Sequence, residues 1–237
     1  MNLGELIDLA GFIAKDKNPD FQLSPNEFNL LLKVNNIRHF KEKIGLPEQY
    51  QPGRPLPRQV PEITRKVATD LQPFKVYMGS GTGANATPLP VEDGFAAIPD
   101  DYYYHLSMNY KWIKNGVAHK RPVDEVDDLE WQQRHDNPLT KGTKRNPICN
   151  YQATEIRFQP EEIMYVEFTY YRLPNEPNLV MKYSSGYAEY DASNSTELEW
   201  DDVNQIDILH KVMSDLGFSM EKAEVVQYAE QHKAQGV

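Results

Sequence analysis

The chain has 237 residues, 40% hydrophobic, 25% charged and 11% aromatic, so it can bury a core and is not disordered as a whole. Its 25 basic and 35 acidic residues leave a net charge of −10, the wrong sign for broad contact with a phosphate backbone or an anionic membrane surface. A single cysteine, Cys149, excludes an internal disulfide and a cysteine-based zinc site. The start of the chain lacks a basic segment and cleavage site, and no apolar run approaches the roughly 18 residues of a spanning helix. A soluble protein from a reducing compartment is expected.

Three regions follow in chain order. In residues 1–73, Leu3, Leu6, Ile7, Ala10, Ile13 and Ala14 form one apolar stripe at helical spacing. A polar loop at 15–22 separates it from a strong helix start: Ser24 as N-cap, Pro25 at the first helical position and Glu27 closing a capping box. Phe28, Leu31, Leu32, Phe40 and Ile44 mark this second helix and Gly45 stops it. Prolines 47, 52, 55, 57 and 61 predict an extended connector, because each fixes φ and removes a donor. A short helix over 62–71 ends before Pro73.

Residues 74–195 read as antiparallel β. Tyr102, Tyr104, Leu106, Met108, Tyr110 and Trp112 alternate with Tyr103, His105, Ser107, Asn109 and Lys111, which predicts one long two-faced strand. Asn115-Gly116 predicts a tight hairpin turn, with 117–126 as the return strand and Pro122 at an edge or bulge. Asp127 and Glu130 cap a short helix carrying Leu129 and Trp131. Strands are expected near 147–152, 154–159 and 162–172, the last central, and weaker ones near 179–183 and 187–190. Residues 79–99, rich in Gly and Pro, are expected as a long loop and a possible contact arm.

Residues 196–237 are again helical. Asp202 with Gln205 makes a capping box ahead of Val203, Ile206, Leu209, Met213 and Leu216, and Gly217 ends that helix. Ser219 can open a last one. The order of helices, strands and helices predicts an α+β fold: an N-terminal helical lobe (1–73), a central antiparallel β-sheet region (74–195) and a C-terminal helical pair (196–237).

Chemistry-bearing patterns are sparse. Residues 16–27 resemble an EF-hand calcium loop: Asp16, Asn18, Asp20, Gln22, Ser24 and Glu27 place oxygens at alternate positions, where Ca²⁺ needs them. Phe21 stands where such loops carry the glycine of the sharp turn, so the competing reading is a helical hairpin in which Glu27 serves the cap. Gly79, Gly81 and Gly83 precede a Pro-rich stretch that cannot open a helix, which argues against a phosphate loop. Cys149 lies in an apolar strand and reads as a packed thiol. His135-Asp136 sits at a helix C-terminus, and the acidic pairs 100–101, 127–128 and 201–202 read as caps. No catalytic, cofactor-binding or metal residue is nominated. Lys141, Lys144 and Arg145 form a basic loop, either a solvated turn or a contact to DNA. The 14 tyrosines suit both a sheet interior and an interface.

Several stretches together resemble a family of virion proteins from tailed phages of Bacteroidetes, the crAss-like phages among them. These are Glu130-Trp131, Asn137 to Tyr151 with its Pro147-Ile148 strand, Glu155 to Pro160, and Val166 to Pro174 ending in Tyr-x-Arg-x-Pro style. Leu23 to Asn29 and Glu199 to Asp202 are also similar. The resemblance implies a structural head-to-tail connector or portal-adaptor ring protein without enzymatic activity. Its partners would be further copies in a ring, commonly a dodecamer, the portal, other neck and tail proteins and DNA passing through the lumen, with no membrane and no cofactor. It would reside in the virion neck after assembly in the host cytoplasm. The alternative is a calcium-binding interaction module built on residues 16–27.

Overall fold

The computed structural model describes residues 1–17, 20, 23–45, 61–79, 87–114, 117–184 and 187–217. Its elements are α1 (Leu3–Lys17), α2 (Pro25–Ile44), α3 (Pro61–Asp70), β1 (Lys75–Met78), β2 (Leu89–Pro90), β3 (Phe95–Ala97), β4 (Tyr102–Lys114), β5 (Val117–Pro122), β6 (Asp124–Glu125), α4 (Asp128–His135), β7 (Ile148–Tyr151), β8 (Glu155–Gln159), β9 (Tyr165–Arg172), β10 (Met181–Ser184), β11 (Tyr187–Tyr190) and α5 (Asp202–Asp215). The fold is α+β. Two compact units divide it: residues 1–73 with 174–237, and residues 74–173.

In the helical unit, α2 begins as its sequence dictates. Ser24 Oγ accepts from the Glu27 N–H at 3.3 Å, and Glu27 Oε2 accepts from the Ser24 N–H at 3.2 Å. Gly45 ends the helix at φ 86°, a left-handed conformation that glycine adopts without steric cost. Leu3, Leu6, Ala10 and Ala14 of α1, Phe28, Leu32 and Phe40 of α2, and Ile208, Leu209, Val212 and Met213 of α5 are buried.

Polar groups share this interior. The Trp200 indole donates to Asn36 Oδ1 at 2.7 Å, and the Asn36 amide donates to the Asn175 carbonyl at 3.2 Å. His39 Nε2 lies 3.0 Å from Asn204 Oδ1, and its Nδ1 lies 3.1 Å from the Lys211 ammonium. An ammonium can only donate, so Nδ1 accepts and the ring proton sits on Nε2.

Residues 174–195, expected with the β region, group with the helices instead. The reason is hydrogen bonding to α2 and to the approach to α5. Asn29 accepts from the Leu179 N–H at 2.7 Å and donates to the Leu179 carbonyl at 2.9 Å, as a neighbouring strand would. Glu199 accepts from the Asn175 N–H at 2.9 Å. The α5 start also differs by one residue: Asp201, not Asp202, is the N-cap, accepting from the Asn204 N–H at 3.0 Å. The buried face of α5 holds Asn204, Gln205, Ile208, Leu209, Val212 and Met213, while Val203 and Ile206, expected on the apolar stripe, are exposed.

The second unit contains two sheets, ordered β1-β9-β4-β5 with β2 also on β9, and β3-β8-β7-β6. Residues of both share one apolar core: Met108, Tyr110, Val166, Phe168 and Tyr170 from the first, Ala96, Cys149, Ile156 and Phe158 from the second. Pairing is antiparallel except between β6 and β7, which run parallel. The expected return strand splits there. After Pro122 the Val123 N–H still bonds the Met108 carbonyl at 3.0 Å, while the Asp124 N–H bonds the Pro147 carbonyl of the other sheet at 2.9 Å.

Strict alternation in β4 fails for a physical reason. Register shifts between Tyr102 and Tyr104 and between His105 and Ser107 each insert a residue into the ladder with β9. Tyr102, His105, Met108 and Tyr110 therefore oppose Arg172, Tyr170, Phe168 and Val166, while Tyr104 and Leu106, expected to share a face with Met108 and Tyr110, are exposed. The expected long loop 79–99 also contains structure: β2 pairs with β9 and β3 with β8, joined through a tight turn at Asp93 (φ 51°) and Gly94 (φ 81°). Residues 80–86, like the Asn115-Gly116 turn, the proline-rich segment 46–60 and the last predicted helix, lie outside the described residues.

Candidate interaction surface

The register that points Phe168 inward turns the intervening residues to the other face of the five-stranded sheet, where Glu167 and Thr169 are still buried but tyrosines around them are open. Tyr104 stands opposite Tyr171, Tyr77 opposite Thr169 and Pro90 opposite Tyr165. Tyr77, Tyr104 and Tyr165 are 43%, 51% and 53% exposed, a high value for aromatic rings on three strands of one face. Tyrosine combines large contact area with only two side-chain torsions, which suits it to interfaces.

Farther along the same sheet the ladder narrows. The pairing of β4 with β9 ends at Tyr110 and Val166, but that of β4 with β5 runs on to Lys114 and Val117. The last four residues of β4 thus form a two-stranded arm reaching about 14 Å beyond the sheet at strand rise. Trp112 stiffens its base, stacking on Tyr110 at 5.5 Å and on His119 at 5.2 Å. Lys111 faces Lys120 directly across the strands. Like charges so placed repel. Glu167, buried on β9 beyond β4, holds Lys120 at 2.5 Å, while Lys111 and Arg121 are exposed with no ion pair among the described residues. Lysine and proline on edge strand β5 also discourage strand-to-strand pairing, so contact by this arm runs through side chains.

A cavity of about 380 Å³ opens among Val76, Met78, Pro99, Asp101, Tyr170 and Arg172. Its polar groups satisfy each other: the Tyr170 hydroxyl donates to Asp101 Oδ1 at 2.7 Å. Burial first, and then that bond, raise the Tyr170 phenol above its ordinary range, so it stays protonated and ties two segments together.

The sequence candidates fall as follows. The Glu27 carboxylate is engaged by Ser24, whose hydroxyl bonds Oε2 at 2.7 Å, which lowers the Glu27 pKa. Of the other loop positions, Asn18 and Gln22 lie outside the described residues, and Asp20 is exposed. Among the described residues no group of three or more His, Cys, Asp or Glu is placed to hold a metal ion. Cys149 is buried with its thiol pushed up to about 12 by desolvation first, which makes it a poor nucleophile. His135 Nδ1 sits 2.9 Å from Asp136 at the C-terminus of α4. In the basic loop, Lys144 pairs with Glu162, and buried Gly142 donates its N–H to Gln159 Oε1 at 3.1 Å, so the loop is docked on the end of β8. No helix among the described residues is long and apolar enough to cross a membrane.

The sequence predicts the two strands of the arm but not its projection beyond the sheet or its role as a surface. The signal was present: residues 102–123 contain Lys111, Lys114, Lys120 and Arg121 and no Asp or Glu, in a chain of net charge −10. No protein-family model matches the chain, and no curated protein matches it either.

Proposed function

We propose that this chain is a structural subunit of the head-to-tail connector of a tailed phage. It would act without catalysis, in a homo-oligomeric ring beneath the portal and beside other neck and tail proteins, with DNA passing through the lumen. The observation that carries this reading is the outward face of the five-stranded sheet, where Tyr77, Tyr104 and Tyr165 are exposed next to a projecting hairpin. Aromatic area and a protruding arm serve contact with other protein surfaces.

The residues behind the phage resemblance lend further support, because they do framework work that any subunit of such a ring would need. Ser24, Glu27 and Asn29 start α2 and hold the 178–180 segment, Trp200 ties to Asn36, Asp201 caps α5, and Val166 to Arg172 form the central strand. The test is quantitative mass spectrometry of purified particles from the source, comparing this chain's copy number with that of the portal. A ratio near one or a small whole multiple is expected; absence from the particle discards the reading.

A further inference from the structure

We infer that the β4–β5 arm docks on the acidic β11–α5 stretch of a second copy of this chain, an interface that rests on the ring reading above. Charge is segregated along the sequence to an unusual degree. Residues 102–123 hold four cationic and no anionic side chains, whereas residues 189–207 hold seven carboxylates and no Lys or Arg. Neither set is used up inside the molecule. Lys111 and Arg121 are exposed without an ion pair among the described residues, and Lys111 is further destabilised by facing Lys120. On the acidic side, Asp202 pairs with the Met1 ammonium, but Asp191 and Asp201 bond neutral N–H donors and so keep their charge. Glu189 and Asp207 are exposed.

The arm can enter a surface because it projects past its own sheet, and its stacked Trp112 and His119 keep it from collapsing. The arm belongs to one compact unit of the chain and the acidic stretch to the other. One copy can therefore give its arm to the next while receiving another, the heterologous arrangement that closes into rings. Nucleic acid is the weaker occupant, since Glu167 already neutralises part of the arm and the chain as a whole repels a polyanion.

Sedimentation of the full chain at low ionic strength tests this. The wild type associates, and added salt weakens the association. Lys111→Glu with Arg121→Glu raises the dissociation constant about tenfold or more, and so does Glu189→Lys with Asp207→Lys. All four positions are exposed, so both variants stay folded, with only small melting shifts: Lys111→Glu removes the repulsion from Lys120, and Glu189→Lys sets like charge opposite Lys182. Mixed in equal amounts, the two variants recover assembly, because each reversed surface now meets its complement. A monomeric wild type, association insensitive to the reversals, or failure of the mixture to recover overturns the interface. If the arm variant instead loses retention of duplex DNA while self-association persists, nucleic acid is the occupant and the inference fails. Particle copy number is independent: charge-dependent assembly by a chain absent from particles would remove the connector role and keep this interface.

Discussion

The two units keep their interiors by different means. The β unit is built mainly on aromatic stacking: Tyr102 stacks on Phe168 at 5.7 Å and Phe168 on Tyr170 at 5.1 Å, beside the fully buried Cys149 and Ile156, with Asn150, Gln159, Glu167 and Thr169 also buried. The helical unit buries Asn35, Asn36, His39, Asn204 and Gln205 among its aliphatic side chains, and joins them by hydrogen bonds. The first interior is specified by volume and register. The second is specified by amide geometry, where each group left without its partner carries a desolvation cost. Sheets with period two can fill a core from one face, while α5 turns Asn204 and Gln205 inward and must satisfy them.

The contrast can be broken from either side. Phe168→Ala should have the largest effect, about 3–5 kcal/mol in urea denaturation, because a fully enclosed ring leaves a cavity that the stacked neighbours cannot fill. Trp200→Phe keeps an aromatic ring but strips Asn36 Oδ1 of its donor and leaves a small void, and should cost about 1–3 kcal/mol. Hydrogen exchange should place that loss in the helical unit and leave β9 protected; equal loss in both units would erase the contrast. Gly142→Ala acts by crowding, since a Cβ there would lie 2.5 Å from the Gln159 carbonyl, and about 1–3 kcal/mol is expected from urea midpoints, confined to the β unit.

The smallest effect is a pH dependence that belongs to the helical unit. Burial holds the His39 imidazole below its ordinary 6.5, the Lys211 ammonium adds to this, and the bond to Asn204 opposes it. The unfolded chain therefore binds a proton near pH 6.5 that the folded chain refuses until lower pH. This contribution to stability is complete above 6.5 and is lost as pH falls through and below that value. Denaturation midpoints at pH 7.5 and 5.5 should diverge in the wild type and less so in His39→Gln; an equal slope in both would reject the assignment.

Much of the framework was legible because local chemistry and tertiary packing agreed. Ser24, Pro25, Glu27 and Gly45 delimit α2 as read, Asp127 caps α4, and the strand at 165–172 is central with both faces largely buried. Misreadings arose where long-range pairing overrode local pattern. Nothing in Tyr-Tyr-Tyr-His announces two bulges, because these are fixed by the partner strand, and they exchange Tyr104 for His105 at the core. Val203 and Ile206 read as core only if Asn204 and Gln205 are assumed to seek water, and here His39 and the Trp200 carbonyl meet them instead. The Asn29 clamp on Leu179 spans 150 residues and leaves no local trace. The β4–β5 hairpin was legible in its alternation and turn residues, and its charge marked it as a contact surface.

The crossing of the chain at Val123 has a mechanical side. Traction on the hairpin tip runs down β4, whose bonds to β9 lie across the pull, so the ladder is sheared as a block instead of being peeled bond by bond. Along the other strand the same traction meets Val123 bonded into one sheet and Asp124 into the next, and is shared between them. An appendage rooted in this way transmits tension to the body of the molecule before it unravels.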